Sequence, residues 1–246
     1  MKAHTLSCTG EKPQYKCEKC HDNGWVEVDP VTRSVRKCEC QKARESEERM
    51  KRSGLEQALT TQTFETFVIK TPLQRKMFDT ARTYLDTLMT SKDNQRRPWL
   101  YIGGNPGSGK THICTAICGE LLNNNIGVRY MQWLDESRRL KASVNDEDFE
   151  DYVADYINVQ VLYVDDLMKQ KYTKYPTFTE ADVKIAFTIL NARYLQNKPT
   201  IISSEWDLID QLLSADEGVF SRVYERCKGF TVIVPRDPAN NYRLSA

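Results

Sequence analysis

From Trp99 onward, short apolar runs alternate with stretches whose apolar residues recur at helical spacing. Five such runs predict strands, at Trp99–Ile102, Val128–Trp133, Val161–Val164, Thr200–Ser204 and Phe230–Val234. Helices are predicted from about Lys110 to Asn123, around Phe149–Ile157, and from a capping box at Thr177–Glu180 to about Gln196. Strands that alternate with helices indicate an α/β fold, in which helices cover both faces of a five-stranded parallel sheet.

The part of the chain before Trp99 lacks this alternation. Residues 41–59 form a highly charged helical stretch, which is either a solvated linker helix or a helix that docks on a partner. Residues 60–72 are expected to be extended and to lead into a helix from about Leu73 to Met89. We therefore expect a small N-terminal module with its linker, residues 1–60, and a larger α/β domain, residues 61–246.

The turn after the first predicted strand reads GNPGSGKT and matches the phosphate-binding pattern G-x-x-x-x-G-K-[ST] in full. Glycines let the backbone N–H groups surround a phosphate, and the start of the following helix favours negative charge. Lys110 would neutralise the β- and γ-phosphates of ATP. The residues expected to bind the nucleotide are Gly104, Asn105, Pro106, Gly107, Ser108, Gly109, Lys110, Thr111 and His112.

A pair of carboxylates ends the third predicted strand, at Asp165 and Asp166. We expect Asp165, together with the Thr111 hydroxyl, to hold Mg²⁺, and Asp166 to polarise the attacking water. In the alternative interpretation, one of the two carboxylates only caps the next turn. Asp166 is one methylene shorter than the glutamate that is more usual there, so hydrolysis is expected to be slow.

Eight cysteines occur in the chain, and five of them lie within the first 40 residues. The pairs Cys17/Cys20 and Cys38/Cys40 supply four thiolates, which suit a closed tetrahedral Zn²⁺ site of structural rather than catalytic type. Cys8 or His21 are alternatives for one ligand. Cys114 and Cys118 are four residues apart on a predicted helix and are expected to be core residues.

Composition gives 35 Lys and Arg against 34 Asp and Glu, a formal net charge of +1. Nucleic-acid binding would therefore need a local patch. Residues 169–178, KQKYTKYPTF, interleave lysines with aromatic residues and predict a contact with single-stranded DNA; the alternative is an ordinary solvated loop. No apolar run approaches the ~18 residues of a membrane span, and the N-terminus has no secretion signal, so we expect a cytoplasmic protein.

With these motifs in place, the chain from about Phe64 resembles the AAA+ helicase loaders of bacterial and phage replication, the DnaC/DnaI type. The segments that carry the resemblance are Thr63–Phe67, the phosphate loop, Tyr130–Trp133, the strand ending in Asp165-Asp166, Pro199–Ser204, Ser221–Arg226 and Asn241-Tyr242-Arg243. The cysteine module is also similar to that of the Gram-positive and phage members.

The resemblance implies further site residues. Ser204 is the expected sensor of the γ-phosphate, with Ser203 and Glu205 as alternatives, because Glu205 stands where the family often has Asn. Arg222 is the expected arginine that reaches a neighbouring subunit's nucleotide, and Arg226 is the alternative. No helical lid domain is expected after the fifth strand, which puts a nucleotide-sensing role for Arg243 in doubt.

The function implied is that of an ATPase that self-associates, binds a replicative DNA helicase and delivers it onto single-stranded DNA. The cofactors implied are ATP, Mg²⁺ and Zn²⁺. A transposition-helper ATPase of the IstB type is an alternative with the same fold. A second alternative is a zinc-dependent DNA-binding adaptor with a vestigial nucleotide site, against which the intact Lys110, Thr111 and Asp165 argue.

Overall fold

The structure of the chain, a computed structural model, describes residues 15–50, 55–91, 96–170, 178–214 and 216–244. These residues form two compact units, divided between Gln41 and Lys42. The smaller unit holds the clustered cysteines, and the larger one holds the parallel sheet.

The small unit is built on a hairpin that the sequence pattern did not reveal. Strands β1 (Trp25–Asp29) and β2 (Ser34–Lys37) pair in antiparallel fashion, with an irregularity in register between Glu27 and Asp29. Most of the hairpin is exposed, and the buried residues around it are the cysteines with Val26 packed against them. A unit with so little apolar core needs a further source of stability.

In the described part of the chain before the sheet, the helices are α1 (Cys40–Met50), α2 (Glu56–Thr61) and α3 (Pro72–Thr90). Helix α3 begins at a capping box formed by Thr71 and Gln74. The sequence placed the boundary between the units at residue 60, whereas the structure divides earlier. The physical reason is that Leu55 and Leu59 pack against the core of the large unit.

The predicted five-stranded parallel sheet is confirmed. Its strands are β3 (Leu100–Gly104), β4 (Val128–Gln132), β5 (Val161–Asp165), β6 (Thr200–Ser203) and β7 (Thr231–Val234). Their order across the sheet is β4-β5-β6-β3-β7, and every neighbouring pair is parallel. Strand β6 therefore lies between β3, which leads into the phosphate loop, and β5, which ends in the carboxylate pair.

Helices cover both faces of this sheet, as the sequence predicted. They are α4 (Lys110–Asn123), α5 (Trp133–Lys141), α6 (Phe149–Asn158), α7 (Glu180–Leu195) and α8 (Glu217–Arg226), with a short π-helix at Leu208–Leu213 before α8. Buried apolar residues form two clusters in this unit. Helices α3 and α4 contribute to one of them, and helices α5 to α8 contribute to the other. Cys114 and Cys118 are buried in the first of these, as expected. Among the described residues, none of the helices combines the length and hydropathy that a bilayer crossing requires.

Two local predictions were wrong. Trp133 was assigned to the end of a strand but begins α5, where it is buried in the core. Helix α7 is capped by Thr179: the Thr179 hydroxyl accepts from the Asp182 N–H and the Asp182 carboxylate accepts from the Thr179 N–H. Thr177, the predicted cap, lies outside the described residues. A capping box needs its acidic member three residues after the cap, and both threonines offer one, so spacing alone did not separate them.

A fully buried arginine, Arg193 of α7, links the end of α6 to the start of β6. Its Nε donates to the Thr200 hydroxyl over 3.0 Å. Its other nitrogens donate to the carbonyl oxygens of Tyr156, Ile157, Val159, Gln160 and Pro199. Burial lowers the pKa of this guanidinium to about 9. The carbonyls that would otherwise lack partners at the end of α6 are thereby satisfied, and the start of β6 is held against them.

Candidate functional site

The phosphate loop connects β3 to α4, and its glycines are required by its shape. Gly104, Gly107 and Gly109 all have positive φ angles, of 99°, 74° and 91°. A Cβ atom at Gly104 would collide with the Val234 carbonyl oxygen, and one at Gly107 with the Asn241 side chain. Only glycine allows the backbone to turn this tightly against its neighbours.

Lys110 lies inside the curve of this loop. Its Nζ donates to the carbonyl oxygens of Gly104 and Asn105, over 2.9 and 2.8 Å. The side chain is 5% exposed, and burial lowers the pKa of its ammonium. This buried cation forms no ion pair with a carboxylate among the described residues, which suits it to an anionic ligand, because phosphate oxygens would supply the missing negative charge.

The loop forms one wall of a cleft of about 440 Å³. Polar and charged groups gather where the strands end, and apolar groups lie towards α3 and the C-terminal segment. The residues that line this cleft are Gln62, Thr66, Phe67, Val68, Lys70, Pro106, Gly107, Gly109, Lys110, Thr111, His112, Asp166, Lys169, Glu205, Tyr242 and Arg243. A volume of this size and mixed polarity is typical of a site for a nucleotide-sized ligand.

Asp165 is buried at the end of β5 and accepts hydrogen bonds from four hydroxyl groups. Its Oδ1 accepts from Thr111, Tyr163 and Ser203 over 3.1, 2.7 and 2.5 Å, and its Oδ2 accepts from Tyr130 over 3.0 Å. Burial and the nearby Asp165 carboxylate raise the pKa of both tyrosines, so each stays a hydrogen-bond donor. The structure thus brings Thr111 and Asp165 together, and their hard oxygen atoms fit a divalent cation of the magnesium type.

Asp166 faces the cleft, unlike its neighbour. Its backbone is left-handed, with φ at 55°, and its N–H donates to the Ser203 hydroxyl over 3.0 Å. Its carboxylate is ion-paired with Lys169, whose Nζ lies 2.7 Å from Asp166 Oδ2 and 2.9 Å from Glu205 Oε1. The turn after β5 therefore presents the Asp166 carboxylate and the Lys169 ammonium group to the cleft, and the segment after β6 adds the Glu205 carboxylate.

The three candidates for sensing the γ-phosphate point in different directions. Ser203 binds Asp165 and the Asp166 amide, as described above. Ser204 is fully buried: its hydroxyl donates to the Leu167 carbonyl over 2.9 Å and accepts from the Trp206 N–H over 3.1 Å. Glu205 alone of the three lines the cleft. The choice of Ser204 is therefore not supported by its position, because its hydroxyl is bonded to Leu167 and Trp206 and does not face the cleft.

The remaining loop residues divide between the cleft and its support. Pro106 lines the cleft, and so does His112, whose Nε2 donates to the Thr63 carbonyl oxygen over 2.9 Å. Asn105 donates from Nδ2 to the Asp237 carbonyl over 3.1 Å. Ser108 is buried on the other side of the loop, and its hydroxyl has no hydrogen-bond partner among the described residues. The Asn105 side chain thus ties the loop to the segment after β7, and Ser108 is buried away from the cleft.

The apolar end of the cleft comes from distant parts of the chain. The rings of Phe67 and Tyr242 meet edge to face with centroids 6.2 Å apart, and the Tyr242 N–H donates to the Gly107 carbonyl over 2.9 Å. The Tyr242 hydroxyl also donates to the Val68 carbonyl. Gln62 lines the same end, and its Oε1 is buried without a partner among the described residues. This acceptor is suited to a ligand that donates a hydrogen bond there.

The two candidate arginines of α8 differ in their surroundings. Arg226 is buried and donates to the Tyr194 carbonyl and to the Asn197 side chain, over 3.2 and 2.8 Å. Arg222 is only partly buried, donates to the Gly218 carbonyl, and lies over the Phe187 ring at 5.5 Å. Neither arginine lines the cleft of its own chain, whereas Arg243 does. Arg226 is committed to its own subunit, which leaves Arg222 as the arginine presented at the surface.

The four cysteines of the small unit converge. The Sγ atoms of Cys17, Cys20, Cys38 and Cys40 all lie within 4.8 Å of one another, and all four residues are buried. Two of the sulfur–sulfur distances are 3.7 and 3.4 Å. Tetrahedral coordination with bonds of about 2.3 Å places sulfur atoms about 3.8 Å apart, so the donor set fits a tetrahedral metal ion. Cys8 lies outside the described residues.

Sequence reasoning missed several contributors to the cleft. Tyr163 precedes Asp165 by two residues on the same strand, and side chains two apart share a face, so this contact had a detectable signal. Tyr130 is paired in register with Tyr163 on β4, which only the strand order reveals. Gln62 reaches the cleft from the end of α2, and no local pattern marks it. Lys169 and Tyr242 lie in segments that the sequence marked for other reasons, a DNA contact and the family resemblance, and not for this cleft.

Comparison with known proteins places these features in a family. The family described as IstB-like ATP binding protein matches residues 28–239. Three relatives come from Bacillus subtilis: the uncharacterized protein YqaM, the phage-like element PBSX protein XkdC and the replicative helicase loader DnaI. They are 31%, 29% and 28% identical over 85%, 90% and 70% of this chain. The matched regions span 66%, 83% and 52% of those proteins, so this chain covers only part of their length.

Solved structures show the same fold. The crystal structure of the DnaC helicase loader aligns with a TM-score of 0.56 at 23% identity, over 70% of this chain and 96% of that one. The crystal structure of DnaI aligns with a TM-score of 0.57 at 20% identity, over 73% of this chain and 93% of that one. The five-stranded parallel sheet with its phosphate loop is the AAA+ fold of these loaders. The chain belongs to the IstB-like ATP binding protein family, and it is an ATPase of the AAA+ type.

Proposed function

We propose that this ATPase is a loader that binds a replicative DNA helicase and delivers it onto single-stranded DNA, with ATP as its switch. The observation that carries the proposal is the combination of a complete nucleotide cleft with a separate four-cysteine unit, in a chain that resembles a replicative helicase loader along 70% of its length. The intact cleft, in turn, argues against an adaptor with a vestigial site.

Both ends of the cleft fit ATP. At the polar end, the phosphate loop and the buried Lys110 ammonium supply donors for phosphate oxygens. Thr111 and Asp165 would hold Mg²⁺, which neutralises charge on the phosphates when it is bound. At the apolar end, a purine would contact Phe67 and Tyr242, and its amino group would satisfy the buried Gln62 oxygen.

Asp166 is the group best placed to polarise the attacking water. Its carboxylate lines the cleft beside Lys110 and Thr111, whereas Asp165 is enclosed by hydroxyl donors. A carboxylate in this position orients water by accepting a hydrogen bond from it. The assignment divides the pair into a structural and cation-binding member and a catalytic member.

Substitutions in the cleft test this division. Lys110→Ala is expected to abolish ATP binding, because it removes the buried cation. Asp166→Asn should bind ATP within about threefold of the parent but lose hydrolysis by about 100-fold or more, as expected for loss of a general base. Binding is measured by calorimetry and hydrolysis by phosphate release. The matched control is Asp79→Asn on the exposed face of α3, and hydrolysis by Asp166→Asn at the parental rate would contradict the assignment.

Self-association through the ATPase unit would complete the site. Arg222 is partly exposed on α8 and does not line its own cleft, so its guanidinium is proposed to reach a nucleotide bound by a neighbouring subunit. An arginine supplied in this way stabilises charge that develops on the γ-phosphate, and it makes hydrolysis depend on assembly.

Mixing two inactive variants tests the role of Arg222. Arg222→Ala should bind ATP normally but hydrolyse it at least about tenfold more slowly. Mixed with Lys110→Ala, it should regain part of the activity, because one chain then supplies the loop and the other the arginine. Arg138→Ala, an exposed arginine of α5, is the control. If mixed oligomers form and no activity returns, Arg222 does not act between subunits.

The four-cysteine cluster is proposed to bind one Zn²⁺ ion. All four sulfur atoms are used, so the ion would be structural and would have no open coordination position. Within the cluster, burial opposes ionisation of Cys20, but the Gly24 N–H and the neighbouring thiols outweigh it and lower its pKa to about 7. A metal would supply the stability that the exposed hairpin lacks.

Metal analysis tests the cluster directly. Protein purified without chelators should carry about one zinc ion per chain, measured by mass spectrometry of the elements. Cys38→Ser should lose the ion and leave ATP binding intact, since the cleft belongs to the other unit. Cys114→Ser, which changes a buried core cysteine of α4, should keep it. A metal-free parent protein would show that the thiols serve another purpose.

The small unit is proposed to hold the helicase. Its hairpin exposes Trp25, Val31 and Val35, with 46%, 89% and 58% of each residue accessible. Trp25 and Val35 share a face of the hairpin, because Glu27, two residues after Trp25, is paired with Val35. Exposed apolar groups on so small a unit are suited to a protein partner, and an aromatic residue is a frequent energetic anchor.

Helicase capture by the intact chain tests this assignment. Trp25→Ala should weaken binding to the cognate helicase by about tenfold or more, the usual cost of losing an aromatic anchor. Its zinc content and ATPase rate should match those of the parent. Intact chains are preferable to fragments cut at residue 60, because such a cut removes Leu55 and Leu59 from the core of the ATPase unit.

The control for this experiment is Tyr152→Ala, which removes an exposed aromatic residue of α6 in the ATPase unit. It should leave helicase binding unchanged. Helicase binding that survives Trp25→Ala and fails in Tyr152→Ala would place the contact on the ATPase unit instead.

A transposition helper is the second candidate, favoured by the IstB-like family itself. The cysteine unit argues for the loader, and capture of a transposase instead of a helicase would decide for the alternative.

The ATPase unit is proposed to contact single-stranded DNA through residues 169–178. Of that segment, residues 171–177 lie outside the described residues, and Lys169 lines the cleft.

A further inference from the structure

The turn after β5 fixes the backbone of Lys169 beside the cleft. Asp166 and Met168 both have left-handed backbone angles, with φ at 55° and 60°. The Lys169 N–H donates to the Asp166 carbonyl over 2.9 Å, and the Leu167 N–H donates to the Ser203 carbonyl over 2.8 Å. The turn is thus tied to the end of β6, while the long Lys169 side chain retains rotatable bonds that a change of partner requires.

The ammonium group of Lys169 joins two strands electrostatically. It lies 2.7 Å from the Asp166 carboxylate at the end of β5 and 2.9 Å from the Glu205 carboxylate just after β6. All three side chains are between a quarter and a third exposed, so solvent screens them only in part. Without the lysine, the Asp166 and Glu205 carboxylates would repel each other at the edge of the cleft.

A terminal phosphate would compete for this lysine. Lys110 and Thr111 line the same cleft as Lys169, Asp166 and Glu205, so a triphosphate held by Lys110 brings its terminal group towards the trio. That group carries more negative charge than a single carboxylate and attracts an ammonium ion more strongly.

We propose that Lys169 is a positioning residue that restrains Asp166 in the nucleotide-free protein and transfers to the terminal phosphate when a nucleoside triphosphate binds. The transfer leaves the Asp166 carboxylate open to accept a hydrogen bond from water. A diphosphate lacks the group that attracts the lysine, and the restraint then persists. This inference rests on the proposed role of Asp166, which the Asp166→Asn variant tests separately.

The experiment measures the affinities for ATP and ADP, with Mg²⁺, in each full-length variant and compares their ratio. Lys169→Met keeps the length of the side chain and removes its charge, so the preference for ATP should fall by about fivefold or more. Lys169→Arg should preserve the preference. Lys76→Met is the control, since Lys76 is an exposed lysine of α3 that does not line the cleft; its ratio should stay near that of the parent.

Glu205→Gln distinguishes a moving lysine from a fixed one. With one of its two resting partners neutralised, Lys169 should transfer more readily, and the preference for ATP should rise by about threefold. In the Lys169→Met background this gain should shrink, because no lysine remains to transfer. An equal gain in both backgrounds would show simple relief of repulsion and overturn the proposal. An ATP preference that Lys169→Met leaves unchanged would also overturn the proposal.

If Lys169→Met does not fold, the Glu205→Gln variant alone still tests the proposal. An ATP preference that is unchanged or lower in Glu205→Gln overturns it.

Discussion

The buried carboxylate of Asp165 is the group on which the geometry of the nucleotide cleft depends. Four hydroxyl groups converge on it, from β4, β5, β6 and the first turn of α4. A buried carboxylate is costly unless it is hydrogen-bonded, and bonds to a charged group contribute about 1.5–3 kcal/mol each. The ends of three strands and the helix that follows the phosphate loop are therefore held at fixed distances from one charge.

The hydrogen bonds to Asp165 also determine how the adjacent residue Asp166 is placed. Ser203 accepts from the Asp166 amide while it donates to Asp165, so it sets the position of the next carboxylate along the chain. Asp166 in turn shares Lys169 with Glu205. Starting from the buried charge, hydrogen bonds thus lead outward to the charged groups that face the ligand, and a change in one group is expected to affect the next.

The sequence was sufficient wherever the chemistry is local. The phosphate loop was predictable because its glycines, lysine and threonine are consecutive and lie between a strand and a helix. The cysteine cluster was predictable for a similar reason, since two closely spaced pairs can meet around one ion. The five strands were found because buried parallel strands are continuously apolar.

The rest depended on contacts between distant parts of the chain. Ser203, Ser204 and Glu205 are consecutive, and nothing in their order reveals that the middle residue points into the core. The pairing of Lys169 with Glu205 joins residues 36 positions apart through the adjacency of β5 and β6. The unit boundary was misplaced because Leu55 and Leu59, the apolar positions of a charged stretch, pack in the larger core.

The left-handed backbone at Asp166 explains why aspartate occupies a position where glutamate is more usual. Aspartate and asparagine are the side chains, apart from glycine, that most readily adopt positive φ angles, because a short polar group can hydrogen-bond locally. With φ at 55°, the residue turns its carboxylate away from the face that Asp165 uses and towards the cleft. A longer side chain would lose that conformational advantage and would also place its carboxylate differently relative to Lys169. The short carboxylate is thus matched both to the left-handed turn and to the position of the Lys169 ammonium group.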